Sequence, residues 1–570
     1  MQDKEDLSFL KKASKNDMYL VFIGGCGAFG MNLTCYIYNE KLYIVDAGVL
    51  FPDPHFLGVD AMIPDMTSLC RVFGGPSAYI ITHGHEDHIG AIPSLLESWP
   101  APVYATSWTM ALIRGKLAQY GLSEGSYELH DIKVNEKRVI GELTCCWYHV
   151  NHSIPMTASL SIESENFRLF HTGDFKFEKA PLYEAPADLL GIKAFAGEKS
   201  VDVLITDSTN ALSAGRSGQE KDVEAALLPL LTQRSGRTYL ALFASNLWRI
   251  MTVARLCQKL GIKVAVSGAS LLKTLDLASS FGMIKEGLLS SLVAPSKLEG
   301  YERKDTLVIT TGSQAEHKAS LSRIVRGEHR ELNLLPSDRV ILSSRMIPGN
   351  EKAVYSMISQ CVQQSVTVIT TKTHPNIHVS GHAHKEELSE LISIIKPTYY
   401  VPVHGTHTQM VANGSLGEEA SKVVSIENGN VLKLTREDLE AVGSIGTDKF
   451  FLDSFSKVPL SYQTLRERLK IGDSGVIHLT GVYHRKLDRW LKPVSMDFRG
   501  LDLPRRIDKA AWRQEVFGQI EDFISQNIQM DESAVLEEVR RLVRRRVSVY
   551  LVKKPVVMNF INLLSEGFDG

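Results

Sequence analysis

The sequence is most informative at Thr82-His83-Gly84-His85-Glu86-Asp87-His88-Ile89-Gly90, which holds three histidines and two acids in nine residues. This stretch follows directly on Tyr79–Thr82, a short apolar run that predicts a β-strand. At an extended strand exit, side chains at positions i and i+2 can converge on one ion, while the next residues enter a helix and point to a neighbouring position. Zinc and similar metals accept imidazole and carboxylate ligands, so this HxHxDH pattern predicts half of a two-metal site.

Three further residues supply the ligands that a two-metal site still needs. His152 lies in Asn151-His152-Ser153-Ile154-Pro155, Asp174 comes just after a predicted strand, and His404 ends another strand in Pro402-Val403-His404-Gly405. Each of them alone is about as well explained as a turn-capping or hydrogen-bonded loop residue. Together with the HxHxDH stretch they favour a metal centre.

The chain is long enough for several domains. At about 150 residues per domain, 570 residues suggest roughly four domain-sized units. Short strands separated by turns dominate the first two hundred residues, whereas Gly218–Lys372 alternates helices, such as Leu247–Lys259, with strands and predicts a parallel α/β module. Gly443–Leu460 is predicted to be a connector. Two amphipathic helices, Asp508–Gln526 and Glu532–Arg546, then indicate a small α+β domain.

Composition excludes several classes of protein. A total of 63 Lys and Arg against 65 Asp and Glu gives a net charge of -2, which argues against a protein that coats nucleic acid nonspecifically. The seven cysteines include no CxxC pair, so they indicate reduced thiols and leave histidine and carboxylate as metal ligands. No apolar run is long enough for a membrane span and no secretory signal is visible, so we expect a cytoplasmic protein without membrane contact.

The motifs HGHEDH, NHSIP, HTGDF and PVHG resemble the successive motifs of the metallo-β-lactamase fold. The later segments DSTN (207–210), FASN (243–246), TGSQ (311–314), IPGNE (347–351) and HVSGHA (378–383) resemble the β-CASP subgroup and, within it, bacterial ribonuclease J. The similarity runs from about Tyr19 to Leu432 and is less distinct beyond.

This resemblance implies an α/β fold: a metallo-β-lactamase αββα sandwich with an inserted β-CASP α/β domain and a small C-terminal α+β domain. The expected boundaries are residues 1–210 and 373–445 for the metallo-β-lactamase domain, 211–372 for the β-CASP domain, 446–465 for a linker and 466–570 for the C-terminal domain.

The resemblance also implies how the ligands divide between two divalent metal ions per chain, expected to be Zn²⁺ with Mn²⁺ or Mg²⁺ as alternatives. Asp174 would bridge the two ions. The first ion would be held by His83, His85 and His152, and the second by Asp87, His88 and His404. Two cations about 3.5–4 Å apart can activate a shared hydroxide and stabilise the oxygens of a phosphodiester displacement.

Further roles follow from the same resemblance. Asp87 would also orient the hydroxide, Asp207 would support a ligand histidine, and His382 would reach the scissile phosphate and stabilise its charge or protonate the leaving oxygen. The remaining members of this HVSGH loop would grip a phosphate: His378, Val379, Ser380 and Gly381. The alternative is that the HVSGH loop is a turn that only packs against one sheet edge and binds no phosphate.

Four more polar residues are weaker candidates for RNA contact. For them, a loop polar group satisfied within the protein is an almost equally good explanation. They are Ser245, Asn246, Ser313 and Gln314.

The sequence departs from the usual pattern of this family at several positions, none of them a predicted metal ligand. Ala28 and Thr406 stand where glutamate is usual, Met156 where aspartate is usual, and Arg345 where serine is usual; Ala315 and His317 also differ. We expect these departures to bear on the groups that support the predicted ligands, on substrate preference and on rate, and to leave the set of ligands whole.

The function implied is a ribonuclease that hydrolyses single-stranded RNA, as a 5′-to-3′ exonuclease with endonuclease activity, in RNA maturation and mRNA decay. RNA with a 5′-monophosphate end, self-association as a homodimer or homotetramer, and partners in an RNA-degradation complex are expected. A DNA-processing β-CASP nuclease and a catalytically weak RNA-binding subunit are the alternatives. A hydrolase of small substrates with the same metal fold is disfavoured, because it would not need an α/β module as long as Gly218–Lys372.

Overall fold

A computed structural model describes residues 10, 16–52, 56, 58–284, 286–289, 292–453, 459–551 and 553–564. The chain divides into two compact units. The first comprises Met1–Phe51 and Met62–Lys449, and the second comprises Pro52–Ala61 and Phe450–Gly570. The predicted metal ligands all belong to the first unit.

Two mixed sheets form the larger part of the first unit. One has eight strands in the spatial order Leu439–Ser444, Asn430–Leu434, Met18–Gly24, Leu33–Tyr38, Lys41–Val45, Ala78–Ile80, Val103–Thr106 and Leu129–Ile132. The other has seven, in the order Lys422–Val423, Tyr399–Val403, Val203–Asp207, Arg168–His171, Ala158–Glu163, Leu143–His149 and Lys137–Ile140.

The two sheets share one hydrophobic core, to which Phe22 and Tyr36 contribute from the first sheet and Trp147, Leu160 and Val401 from the second. Burying both inner faces explains why these strands are rich in β-branched and aromatic residues. Helices pack against both sheets: Thr67–Phe73 and Ser107–Tyr120 against the first, and Leu189–Glu198, Lys385–Ile395 and His407–Gly417 against the second. Ile92–Ser98 packs against Ser107–Tyr120. The predicted sandwich is confirmed.

Within the same unit, a third sheet of six parallel strands forms the inserted α/β module. Its spatial order is Leu292–Val293, Lys263–Ser267, Thr306–Thr310, Thr238–Ala241, Arg339–Leu342 and Thr367–Ile369. The helices of the module are Glu220–Thr232, Leu247–Lys259, Ala269–Ser280, Glu286–Leu289, Ser320–Val325 and Glu351–Gln363. All six strands are parallel, so their carboxyl ends lie at one edge, where α/β sheets place their binding sites.

The second unit has an α+β fold, as predicted. Val476–His484 lies in the middle of a three-stranded sheet, antiparallel to Arg489–Arg499 and parallel to Val556–Leu564. The helices Lys509–Gln526 and Glu532–Ser548 pack on this sheet through one apolar core. A further helix spans Tyr462–Ser474.

Two details differ from the sequence-based expectation. The predicted strand Tyr79–Thr82 ends at Ile80, because the backbone N–H of Thr82 donates instead to Asp46 Oδ1 at 2.9 Å. The predicted connector Gly443–Leu460 contains short strands, in which Phe451 pairs with Leu460 and Leu452 with Pro459.

Candidate metal centre

The HxHxDH stretch lies immediately beyond the strand Ala78–Ile80, at the end of the first sheet. His85 has an extended backbone and is the N-cap of a one-turn helix, Glu86–Ile89. Asp87 and His88 therefore lie on the first helical turn, beyond the point where the chain changes direction. Because the chain changes from an extended segment to a helix, His83 and His85 point in one direction and Asp87 and His88 in another, as the spacing predicts.

One group of side chains gathers three histidines around one oxygen of Asp174. Asp174 Oδ2 lies 3.4 Å from His83 Nε2 and 3.6 Å from His152 Nε2. His85 Nδ1 lies 3.0 Å from His152 Nε2. One ligand atom from each of the four residues lies within 4.8 Å of the others.

A second group surrounds the other oxygen of the same carboxylate. Asp174 Oδ1 lies 3.3 Å from His88 Nε2 and 2.7 Å from His404 Nδ1. His404 Nε2 in turn lies 3.4 Å from Asp87 Oδ2. The structure thus brings all seven predicted ligands together, with one oxygen of Asp174 facing each group.

The protonation of the first group suits a divalent cation. Burial lowers the pKa of His83 and His152, and it lowers the pKa of His85 to about 3, so these three imidazoles are neutral near pH 7 and present lone pairs. Burial opposes ionisation of Asp174, but the neighbouring imidazoles, that of His404 foremost, hold the pKa of its carboxyl well below the usual range.

Two imidazoles of the second group, His88 and His404, favour their protonated forms. Burial alone would lower the pKa of His404, but the Asp174 carboxylate raises it to about 10. Asp174 raises the pKa of His88 above its usual value in the same way, against the effect of burial. A bound dication would replace the charge of these protons and release them, so the donor set fits two divalent metals of the zinc type.

Hydrogen bonds from behind fix the candidate ligand imidazoles. His88 Nδ1 donates to Asp46 Oδ2 at 2.7 Å, and His152 Nδ1 donates to the carbonyl of Gly381 at 2.6 Å. In both rings this leaves Nε2 directed at Asp174. Sequence reasoning missed Asp46, although it directly follows the strand Lys41–Val45 as other site residues follow theirs.

His382 stands at the edge of the centre. Its Nδ1 donates to Asp207 Oδ2 at 2.8 Å and lies 3.9 Å from Asp174 Oδ2. Burial opposes charge on the ring, but Asp207 and Asp174 raise the pKa of His382. Asp207 was predicted to support a ligand histidine; its closest histidine contact is His382, and its Oδ1 lies 3.7 Å from His404 Nδ1.

The rest of the HVSGH loop is held mainly within the protein. Ser380 Oγ accepts hydrogen bonds from Asn210 Nδ2 at 2.6 Å and from the backbone N–H of His382 at 3.2 Å. The Val379 side chain is buried in the core of the α/β module, so only its backbone can contact a ligand. Burial lowers the pKa of His378, and the neighbouring Arg249 adds to that effect.

The four weaker candidates lie at the ends of strands of the module. Asn246 caps the helix Leu247–Lys259, accepting from the backbone N–H of Arg249 at 3.1 Å. Gln314 bonds with the backbone of Arg345 and Ile347. Ser313 is buried and lines a cavity, and Ser245 is half-buried. Contact of these residues with RNA stays a prediction.

The departures from the family pattern occupy different surroundings. Thr406 begins the helix His407–Gly417 in a capping box with Gln409. Met156 packs against the core of the module with a positive φ of 56°. Ala28 is exposed, and Arg345 Nη1 donates to Asn210 Oδ1 at 3.0 Å.

Three family models match successive parts of the chain. A Beta-lactamase superfamily domain matches residues 59–207, and the beta-CASP domain of Ribonuclease J matches residues 235–361. A Zn-dependent metallo-hydrolase RNA specificity domain matches residues 367–426.

Curated relatives extend the similarity to nearly the whole chain. Ribonuclease J 1 of Streptococcus pyogenes is 35% identical over 466 residues, which cover 81% of this chain and 82% of that protein. Ribonuclease J of Corynebacterium glutamicum is 32% identical over 554 residues, covering 96% of this chain and 76% of that protein. The chain belongs to the ribonuclease J family. The predicted family and its enzyme class, a hydrolase of the ribonuclease type, are confirmed.

A solved structure shares the fold of this ribonuclease J family member at much lower identity. A protein of unknown function from Enterococcus faecalis V583 superposes with a TM-score of 0.51 and 16% identity, over 73% of this chain and 100% of that one. Among the described helices, none combines the length and apolar character needed to cross a lipid bilayer.

Proposed function

We propose that the protein hydrolyses phosphodiesters of single-stranded RNA with two divalent metal ions, Zn²⁺ foremost and Mn²⁺ or Mg²⁺ as alternatives. The observation that carries this proposal is the Asp174 carboxylate, whose two oxygens face two separate groups of ligand side chains. In a two-metal hydrolase, the ions polarise the phosphodiester and make water a stronger nucleophile at neutral pH.

The protein side chains would divide the remaining work. His83, His85 and His152 would hold one ion, and Asp87, His88 and His404 the other, with Asp174 shared. Asp87 is the most exposed of the carboxylates, with 28% of its side chain accessible, so it can also accept a hydrogen bond from the attacking water. The surrounding protein fixes these groups before substrate arrives, which is the condition for efficient charge stabilisation.

His382 would act on the phosphate itself. Its Nδ1 is engaged by Asp207, and 20% of its side chain is accessible, so the free Nε2 can face a substrate. Because two carboxylates favour its protonated form, it can donate a hydrogen bond to a phosphate oxygen or a proton to the leaving oxygen.

RNA is the substrate favoured by the comparisons. The relatives are named ribonucleases, and residues 367–426, which include the HVSGH loop, match a model named for RNA specificity. We propose 5′-to-3′ exonuclease action on 5′-monophosphate ends together with endonuclease action, in the cytoplasm, in RNA maturation and mRNA decay. Self-association as a homodimer or homotetramer and partners in RNA degradation are part of the proposal.

An end-labelled digest tests this function. Single-stranded RNA with a 5′-monophosphate should yield mononucleotides with Zn²⁺, Mn²⁺ or Mg²⁺, and a matched DNA strand should not. The double variant His85→Ala/Asp174→Ala should lose cleavage and keep RNA binding. It removes metal ligands but leaves unchanged the rest of the protein surface that contacts the RNA. Equal cleavage of DNA and RNA would support the DNA-processing alternative, and no cleavage under any condition would support a binding subunit.

A further inference from the structure

A cavity of about 300 Å³ opens at the carboxyl-terminal edge of the six-stranded parallel sheet. Its walls come from the segments that follow the strands Thr306–Thr310, Arg339–Leu342 and Thr367–Ile369, of which the last two are neighbours in the sheet. The side chains that matter for binding are those of Ser313, Ser344, Arg345, Glu351, Tyr355 and Lys372. Its size and its place in the sheet are those of small-ligand sites in α/β folds.

Two of the lining residues are cations whose charge no acid in the described part of the chain neutralises by an ion pair. Lys372 donates a hydrogen bond to the hydroxyl of Tyr355 and lies 5.2 Å from the centre of its ring. Arg345 is bound only to uncharged groups, through Asn210 Oδ1 and through its own carbonyl to Gln314. The one acid of the wall, Glu351, accepts from the backbone N–H of Gly349 at 2.8 Å. The cavity therefore offers positive charge to an anionic ligand.

Arg345 also connects the cavity with the HVSGH loop. Its Nη1 donates to Asn210 Oδ1 at 3.0 Å, and Asn210 Nδ2 donates to Ser380 Oγ at 2.6 Å. The same Asn210 amide lies 3.3 Å from the carbonyl of His382. A strand whose scissile phosphate contacts His382 can thus place a neighbouring nucleotide beside Arg345.

We propose that this cavity binds one nucleotide of the RNA strand, with its backbone phosphate held by Arg345 and Lys372 and its base stacked on Tyr355. The inference rests on the proposed function and adds a subsite to it. Tyr355 suits the stacking role because 42% of the residue is exposed. Because aromatic stacking accepts any base, the subsite would add affinity without reading sequence.

The test measures binding of unstructured oligouridine over a potassium chloride series, with full-length protein in the non-cleaving Asp174→Ala background. Removing one cation that neutralises a phosphate of a single strand should reduce the slope of log K against log salt by about 0.7. Arg345→Ser and Lys372→Ala should each reduce the slope by part of this amount and together by the whole of it, because both cations hold the same phosphate, whereas Arg345→Lys should keep the slope. Tyr355→Ala should weaken binding about 5- to 150-fold and leave the slope unchanged.

Matched controls separate a phosphate contact from a general reduction of charge or a damaged fold. Arg330→Ser and Lys352→Ala each remove an exposed cation of the same module outside the cavity wall, and both should leave the slope unchanged. An unchanged slope in Arg345→Ser and Lys372→Ala, or an equal reduction in the controls, overturns the subsite. Cleavage of RNA by the wild-type protein is scored separately. Cleavage without a slope change therefore rejects the subsite alone, and a slope change without cleavage rejects the proposed activity alone.

Discussion

Replacing Arg249 by methionine should lower the free energy of unfolding by about 3–5 kcal/mol, because it removes the partner of a buried carboxylate. The Arg249 and Glu220 side chains are 1% and 7% exposed. Arg249 Nε and Nη2 donate to Glu220 Oε1 and Oε2 at 2.7 and 3.0 Å, which is a bidentate pair. The carbonyl of Ile377, just before the HVSGH loop, also accepts from Arg249 at 3.3 Å but keeps a bond from the Ser343 hydroxyl at 2.6 Å, so its share of the destabilisation is small.

Two further variants decide whether the buried charge is the cause. The double variant Arg249→Met/Glu220→Met should recover most of the lost stability, because an apolar pair of similar volume replaces buried charge at little cost. Arg255→Met breaks the pair Arg255–Glu224 between the same two helices, where the side chains are 34% and 20% exposed. That control should cost about 0–1 kcal/mol.

Urea denaturation followed by far-ultraviolet circular dichroism measures these differences as shifts of the transition midpoint at constant slope. An Arg249→Met variant within about 1 kcal/mol of the wild-type protein would show that no buried carboxylate is left unpaired, since a broken buried pair costs more than that. A double variant no more stable than the single one would show that the buried charge is not the cause of the destabilisation.

Three other substitutions have definite expected outcomes. Asp46→Asn should weaken metal binding about 10- to 100-fold in a chelator competition, since it removes a carboxylate that orients a ligand imidazole; wild-type affinity would contradict this. Gly381→Ala should impair both metal binding and cleavage, because its Cβ would lie 2.7 Å from His152 Nδ1, whereas Gly115→Ala, in open space, should change neither. Burial raises the pKa of Glu184 to about 8, so the unfolded state releases this proton at a lower pH than the folded state does. The free energy of unfolding should therefore fall as the pH rises from about 5 to 8. Denaturation measured at several pH values should show a smaller fall in Glu184→Gln, which has no carboxyl proton to release.

The sequence predicts that the seven candidate ligands lie close together, because they follow strand ends in recognisable local patterns; their role as metal ligands stays a prediction. His83, His85, Asp87 and His88 lie within six consecutive residues, so the local change from strand exit to helix start orients them. His404 is 230 residues from Asp174, and its place beside that residue was predicted from the motif resemblance rather than from spacing.

The contacts that hold the site together could not be predicted in the same way. Asp46 reaches His88 across 42 residues, and Arg249 reaches Glu220 and Ile377 from another helix, so tertiary packing decides these partners. A single aspartate after a strand or a single arginine in an amphipathic helix gives no local signal of such a role. Val379 shows the converse case, because the motif that marks its loop does not reveal that its side chain enters the core.

The stoichiometry of bound metal is the most direct measure of whether the two oxygens of Asp174 face two different ions. Native mass spectrometry with elemental analysis, after reconstitution with Zn²⁺ or Mn²⁺, should show two ions per chain in the wild-type protein. His85→Ala and His404→Ala should each retain one ion, and Asp174→Ala should retain neither firmly. Saturation of the wild-type protein at one ion or none, or two firmly bound ions in Asp174→Ala, would contradict a two-metal site centred on Asp174.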